Sequence, residues 1–155
     1  LIAASVDNRK NTSISPRFSF ILSQLSAKDA KVLQIIYNQP YHQLPLGYLN
    51  YKNKDGSLKI SPYLSLTINN EELFTFEESF ESLASLGIIT IHQDAWLAST
   101  EYTARYNLIE QILKNRFYDT RVTDINSLEF KKGSIKVTSF GESFLPVGLG
   151  CPSLI

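Results

Sequence analysis

Cysteine, histidine, methionine and glycine are all scarce in this sequence. Its 155 residues include one cysteine, two histidines, no methionine and seven glycines. A lone cysteine cannot form an internal disulfide, and with two histidines it supplies too few ligands for a zinc site of the usual kind. The glycines are scattered and form neither a GxGxxG nor a GxxxxGK phosphate-binding loop. The sequence therefore predicts no metal site and no cofactor.

Long apolar runs are also missing. No stretch approaches the roughly eighteen apolar residues of a membrane-spanning helix, so we expect no membrane contact from these residues. The hydrophobic fraction of 43% and the aromatic fraction of 12% are ordinary for a globular protein, and we expect residues 1–155 to form a single domain. The opening LIAASVD and the missing initiator methionine predict that residues 1–7 are the end of an upstream helix and that the chain is a fragment of a longer protein.

Net charge is absent, but the charges are unevenly distributed. Fifteen basic and fifteen acidic side chains cancel, which argues against a globally basic nucleic-acid binder. Residues 1–60 carry eight basic and three acidic side chains, whereas residues 61–100 carry six acidic side chains and no basic ones. The asymmetry is either an interaction surface or a pair of segments that neutralise one another in the fold, and we expect the second.

Five stretches carry helix signals. Ser15 followed by Pro16 is a helix start, and Ser26 with Asp29 is a capping pair for a second helix, which Pro40 ends. A third predicted helix begins at a Thr75/Glu78 capping box and ends at Gly87, and a fourth covers residues 101–117. The fifth is capped by Thr138 or Ser139, with Glu142 reaching back to Ser139. Pro146, Gly148 and Gly150 stop it.

Short β-branched runs predict the strands. We expect a hairpin of residues 48–52 and 58–61 about a turn at Asp55-Gly56, a strand over residues 88–92, and two strands over residues 127–130 and 135–138 joined by a turn at 131–134. We also expect residues 88–92 to pair antiparallel with residues 135–138. The predicted core consists of Phe18, Leu22, Leu25, Leu33, Ile36, Phe80, Leu83 and Phe140.

No residue stands in a recognisable catalytic arrangement. His42 and His92 have no nucleophile or carboxylate nearby in the sequence, and we interpret both as surface or capping residues. Cys151 has no basic neighbour to activate its thiol. We place Glu77, Glu78 and Glu81 on the solvated face of their helix. The sequence therefore predicts no catalytic residue and a protein that is not an enzyme.

The order of elements resembles a winged helix. We therefore expect an α+β fold, mostly helical, with a small antiparallel sheet and with the helix over residues 101–117 inserted between the wing strands. Lys131, Lys132 and Lys136 would form a basic wing, and nucleic-acid binding through that wing is the alternative function. The helix at the recognition position bears glutamates, which DNA phosphates repel, and it has no lysine or arginine.

Two motifs resemble the bacterial abortive infection alpha (Abi-alpha) family. The first has the form LxQLSxxDAxxL, preceded by an aspartate, a proline and a phenylalanine. The second combines an SLxxLGII joint with a closing TxFGxxF segment and a later cysteine. The matching positions are Asp7, Pro16, Phe18, Leu22, Leu25, Ser26, Asp29, Ala30 and Leu33 for the first motif, and Ser82, Leu83, Leu86, Gly87, Ile88, Ile89, Thr138, Phe140, Gly141, Phe144 and Cys151 for the second.

The resemblance implies a role in phage exclusion in the bacterial cytoplasm, with this chain as the C-terminal domain. It supplies no catalytic residues to carry over. We expect a domain that acts by binding a protein partner or by self-association.

Overall fold

The computed structural model of the chain describes residues 16–117 and 127–148, with side chains as far as Phe144. The predictions for residues 1–7, Ser15, Gly150 and Cys151 lie outside this part of the chain.

Two short helices open the described chain, and their caps follow the sequence. Helix α1 (Pro16–Gln24) begins at the predicted proline. Helix α2 (Ala27–Tyr37) has Ser26 as its N-cap, whose hydroxyl oxygen accepts a hydrogen bond from the Asp29 amide at 3.0 Å. This bond satisfies one of the amide groups that a first helical turn leaves unpaired. A 3₁₀ turn, Pro40–His42, follows α2.

One antiparallel sheet of six strands forms the centre of the described structure. Its strands are β1 (Gln43–Asn53), β2 (Gly56–Lys59), β3 (Leu64–Leu66), β4 (Glu72–Leu73), β5 (Ile89–His92) and β6 (Leu128–Val137). The spatial order is β4-β3-β1-β6-β5, and β2 pairs with the far end of β1 in the predicted hairpin about Asp55-Gly56. Strand β1 starts at Gln43, five residues earlier than the prediction, and pairs with β6 along most of its length.

Three further helices are α3 (Glu77–Ser85), α4 (Thr100–Phe117) and α5 (Ser139–Gly148). The predicted Thr75/Glu78 capping box is wrong, because α3 begins at Glu77 and its N-cap, Phe76, forms no side-chain capping bond. Pro146 does not stop α5, which continues to Gly148. Of the two residues predicted to cap α5, Thr138 does so, with its hydroxyl oxygen accepting a hydrogen bond from the Gly141 amide at 2.9 Å.

The predicted turn at residues 131–134 is wrong. These residues continue a single strand, β6, and pair in register with Tyr48, Gly47, Leu46 and Pro45 of β1. Gly133 indicated a turn, but in the structure its missing side chain lets the backbones of β6 and β5 lie close together. A Cβ at Gly133 would lie less than 3.0 Å from the His92 carbonyl oxygen of the neighbouring strand. Without that turn, the described residues contain no wing hairpin.

The α+β class is confirmed, whereas the winged-helix arrangement is not. The structure is not mostly helical, and the predicted small sheet is instead a central sheet of six strands. Helix α4 does lie between β5 and β6 in the sequence, as predicted. The antiparallel pairing of β5 with β6 is also confirmed, from Ile89 opposite Val137 to His92 opposite Ser134.

Apolar side chains pack on both faces of the sheet. One face carries the larger core, formed with α1, α2, α3 and α5, and the other face is covered by α4 through Ile109 and Leu113. The eight predicted core residues all belong to the larger core: Leu33, Ile36, Phe80 and Leu83 are fully buried, and Phe18, Leu22, Leu25 and Phe140 are partly buried against it.

Candidate protein-binding groove at the sheet edge

A groove of about 820 Å³ runs beside β5, the last strand of the sheet. Among the described residues, β5 pairs with β6 on one side and with no strand on the other. All four residues of β5 line the groove, together with Glu81 and Ala84 of α3. Gly87 and Thr138 line it at one end of β5, and Gln93 and Tyr63, joined by a 2.6 Å hydrogen bond, line it at the other. An unpaired strand edge next to such a groove has the shape that an extended segment needs.

The end of α3 sets the position of β5. The Gly87 amide donates to the Ala84 carbonyl at 3.0 Å, and the Ile88 amide donates to the Leu83 carbonyl at 3.1 Å. Gly87 has a φ of +80°, which confirms it as the predicted left-handed cap. Ile88 and Leu83 are both fully buried, so the chain leaves the helix anchored in the core and enters β5 directly.

Thr138 fastens the start of α5 to the same joint. Its hydroxyl donates to the Gly87 carbonyl at 2.6 Å, and its amide donates to the Ile88 carbonyl at 2.9 Å. The Gly141 backbone passes close by: a Cβ there would lie less than 3.0 Å from the Ile88 carbonyl oxygen. The two halves of the second sequence motif therefore meet in space, and Gly87 and Thr138 line the groove at this end of β5.

The groove lining is acidic. Glu81 and Asp94 line it, together with the exposed His92, and the described lining contains no lysine or arginine. Neither carboxylate forms an ion pair with any residue in the described ranges. Glu81 lies on the solvated side of α3, as predicted, whereas the side chain of Glu77 pairs with Lys59.

A smaller pocket of about 290 Å³ adjoins the groove and shares Gln93 and Asp94 with it. Its lining also includes Lys131, Lys132 and Trp96, and the Trp96 residue is 57% exposed. The Lys132 ammonium lies 5.9 Å from the centre of the Trp96 ring. An exposed tryptophan beside a groove is typical of the side chains that dominate protein interfaces.

A second polar cluster joins the 3₁₀ turn to α5. His42 Nδ1 lies 2.7 Å from one carboxylate oxygen of Glu142 and 3.0 Å from the other. Tyr41 and His42 both have positive φ, 59° and 51°, which is unusual for residues other than glycine. The Tyr37 hydroxyl, beneath this turn, donates to the Gly141 carbonyl at 2.6 Å. Burial, and secondarily the Glu142 carboxylate, raise the pKa of Tyr37.

Sequence reasoning missed this cluster because its members are far apart in the chain. His42 has no carboxylate nearby in the sequence, but the fold brings it to Glu142, which lies one hundred positions away. Glu142 was expected to reach back to Ser139 within its own helix, but its side chain contacts His42 instead. His92 lies at the exposed end of β5, in agreement with its interpretation as a surface residue.

The three lysines predicted for a basic wing all lie in β6 and do not form one patch. Neighbouring residues of a strand point to opposite faces, so Lys131 lies on one face of the sheet and Lys132 and Lys136 on the other. The Lys131 ammonium lies 2.7 Å from a carboxylate oxygen of Glu129. Nucleic-acid binding by these lysines stays a prediction.

The described residues offer neither a metal site nor a membrane-spanning helix. No group of three or more histidine, cysteine, aspartate or glutamate side chains is placed to hold a metal ion there. In the same part of the chain, no helix combines the length and the apolar character needed to cross a bilayer.

Comparison with known proteins provides a family. No curated protein matches the chain. A solved structure, that of an uncharacterized protein from the hydrocarbon-degrading marine bacterium Alcanivorax borkumensis SK2, is similar with a TM-score of 0.44 and 10% sequence identity, over 83% of this chain and 89% of that one. A family model described as abortive infection alpha matches residues 1–147, a stretch that contains the whole of the first motif and the joint at Gly87 and Thr138. With nearly its whole length matched, the chain belongs to the abortive infection alpha family.

Proposed function

We propose that this chain is the interaction domain of a phage-defence protein, and that it binds a protein partner in the groove beside β5 without catalysing a reaction. Membership of the abortive infection alpha family supports the phage-defence role. The observation that carries the binding role is the unpaired edge of β5 against a groove of about 820 Å³. Extended segments bind such edges through backbone hydrogen bonds, and pockets beside the edge select their side chains.

The proposed partner binding takes place in the bacterial cytoplasm, where phage genomes replicate. Binding there would relay a signal of infection. In this proposal the His42–Glu142 pair has a structural role: it holds the strained turn at Tyr41 against the start of α5. General acid–base catalysis needs a pair placed to reach a substrate proton, and the groove lining does not include this one.

A plating experiment tests the phage-defence role. The gene is deleted in its own bacterium and restored as wild type or as variants, and the efficiency of plating is measured across a phage panel. We expect deletion to raise plating for at least one phage, and we expect the groove variant Glu81→Lys with Asp94→Lys to behave like the deletion. The matched control is Glu78→Lys, a charge reversal at an exposed position of the same helix outside the groove.

Two outcomes would contradict the proposal. If deletion changes the plating of no phage, the chain has no defence role. If His42→Asn or Glu142→Gln abolishes protection while the protein remains folded and abundant, and the groove variant does not, then the activity resides in the polar cluster and a catalytic role replaces binding.

A further inference from the structure

We propose that the groove binds an extended segment of a partner protein that carries lysine or arginine, and that this segment adds to the sheet beside β5 at Ile91. The inference rests on the proposed protein-binding function and names the chemistry of the partner. Three features support it: the direction of the backbone groups of β5, the two carboxylates of the lining, and the exposed ring of Trp96 in the adjoining pocket.

In β5, the backbone N–H and C=O groups of the odd-numbered residues point away from β6. The Thr138 amide donates to the Ile88 carbonyl at 2.9 Å, which makes that pair a hydrogen-bonded one. Hydrogen-bonded and non-bonded pairs alternate in an antiparallel ladder, so the backbone groups of Ile89 and Ile91 point away from β6. Ile89 is only 2% exposed, whereas Ile91 is half-buried, so the accessible part of the edge centres on Ile91.

The charges of the lining select a cationic segment. Glu81 and Asp94 line the groove, and neither forms an ion pair with a residue of the described ranges. Arg17 lies near the Gly87 end, where its guanidinium stacks 4.0 Å above the centre of the Phe140 ring. Opposite charge on the partner would speed the encounter and set the register of the added strand.

Trp96 provides an aromatic surface beside the groove. Its ring is exposed at the Asp94 end of the groove, in the adjoining pocket. Indole rings attract ammonium and guanidinium groups placed over their faces, and the Lys132 ammonium already lies 5.9 Å from this ring centre. Lys131 and Lys132 also line that pocket, so a lysine or arginine of the partner would reach the Asp94 carboxylate from the groove, and apolar side chains of the partner would pack on the exposed Trp96 ring.

A second copy of this chain fits the groove less well. Two β5 edges paired about a twofold axis would bring the Glu81 and Asp94 carboxylates of one copy towards those of the other. Like charges placed opposite one another oppose the pairing. The partner is therefore a different, basic chain.

Peptide binding tests the inference directly. The probes are three fluorescein-labelled eight-residue peptides: one alternating lysine and valine, one alternating glutamate and valine, and the lysine peptide N-methylated at every second residue. Fluorescence anisotropy with the full chain is followed to about 1 mM protein at low and near-physiological salt. We expect the lysine peptide to bind, the glutamate peptide not to bind, and N-methylation to weaken binding about tenfold or more, since it removes backbone donors.

Protein variants locate the binding. Glu81→Gln and Asp94→Asn should each weaken the lysine peptide about 2- to 5-fold, as expected for exposed charge pairs, whereas the control Glu78→Gln should not change it. Ile91→Pro removes the outward amide and should weaken binding about tenfold. Amide hydrogen exchange of the wild type provides a readout that needs no variant: the Ile91 amide should gain protection when the lysine peptide is added.

Several results would overturn the inference. These are equal binding of the lysine and glutamate peptides, no binding of the lysine peptide, equal binding of its N-methylated form, or an unprotected Ile91 amide in the complex. A dimer in sedimentation that Ile91→Pro abolishes would assign the edge to a second copy. If no peptide binds but the groove variant still loses phage protection, the proposed function stands and only the basic partner segment is wrong. If the lysine peptide binds while deletion leaves plating unchanged, the basic partner segment stands and the phage-defence role is wrong.

Discussion

Replacing Gly141 with alanine tests how closely α5 packs against the joint before β5. In an ordinary helix this change stabilises by up to about 1 kcal/mol, because alanine is the better helix former. Here the new Cβ would lie less than 3.0 Å from the Ile88 carbonyl oxygen and 2.7 Å from Val137 Cγ1. The helix cannot easily move away, because the Gly141 amide is bound to Thr138 and its carbonyl to Tyr37.

Overpacking of this kind costs about 1–3 kcal/mol, and loss of either hydrogen bond would add about 1 kcal/mol. We therefore expect Gly141→Ala to lower the free energy of unfolding by about 1–3 kcal/mol after the gain in helix propensity is subtracted. At about 2–4 °C per kcal/mol, the melting temperature should fall by roughly 2–12 °C in calorimetry. Ser143→Ala, at an exposed position of the same helix, is the control and should change stability by less than about 0.5 kcal/mol. A Gly141→Ala protein as stable as the wild type, or more stable, would refute the close approach.

Three other expectations concern the core, alkaline pH and nucleic acid. Leu33→Ala should lower the free energy of unfolding by about 2–5 kcal/mol in urea denaturation, since Leu33 is fully buried. The control Leu58→Ala, at a position 68% exposed, should lower it by less than about 0.5 kcal/mol. Equal effects would mean that the buried face of α2 is wrongly assigned. Burial raises the pKa of Tyr37 above its value of about 10 in the unfolded chain, so the neutral hydroxyl stabilises the fold up to about pH 10 and this stabilisation is lost as the pH rises further. Tyr37→Phe should therefore flatten the fall in the free energy of unfolding at alkaline pH. An unchanged slope of that free energy against pH would contradict this. Random duplex DNA should bind weakly at low salt and not at near-physiological salt in fluorescence anisotropy, since three lysines give a shallow salt slope of about −3, and tight, salt-resistant binding lost on reversing those lysines would revive the nucleic-acid function.

The sequence predicted best where a single local interaction decides the structure. Ser26 caps α2 because its hydroxyl lies within reach of the amide three residues later, and Gly87 ends α3 because it adopts positive φ. The buried positions of the helices followed from their 3.6-residue spacing. The β5–β6 pairing was predicted in spite of the long separation because both runs are short, β-branched and bounded by a helix.

Predictions failed where partners are distant in the chain. Residues 131–134 contain two lysines, a glycine and a serine, which locally indicate a turn, yet pairing with Pro45–Tyr48 of β1 holds them extended. The local composition carries no signal for that partner. The same limit applies to His42, because no pattern near either residue indicates its contact with Glu142. It also applies to the groove, since its acidic lining joins α3 to the segment after β5 and emerges only when the sheet edge is known.

The residues that carry the family resemblance and the residues that would select a partner are different. Leu83, Gly87, Thr138 and Gly141 belong to the second motif, and each has a structural role: Leu83 in the core, Gly87 as a cap, Thr138 as a link between two backbone segments, and Gly141 where two backbones approach closely. Together they fix the edge of β5 and hence the presence of a groove. Glu81, Asp94 and Trp96, which give this groove its charge and its aromatic surface, lie outside both motifs. We therefore expect chains with the same two motifs to form the same groove while differing in its charge, so that exchanging the acidic groove residues between two such proteins should exchange the charge of the peptide that each one binds.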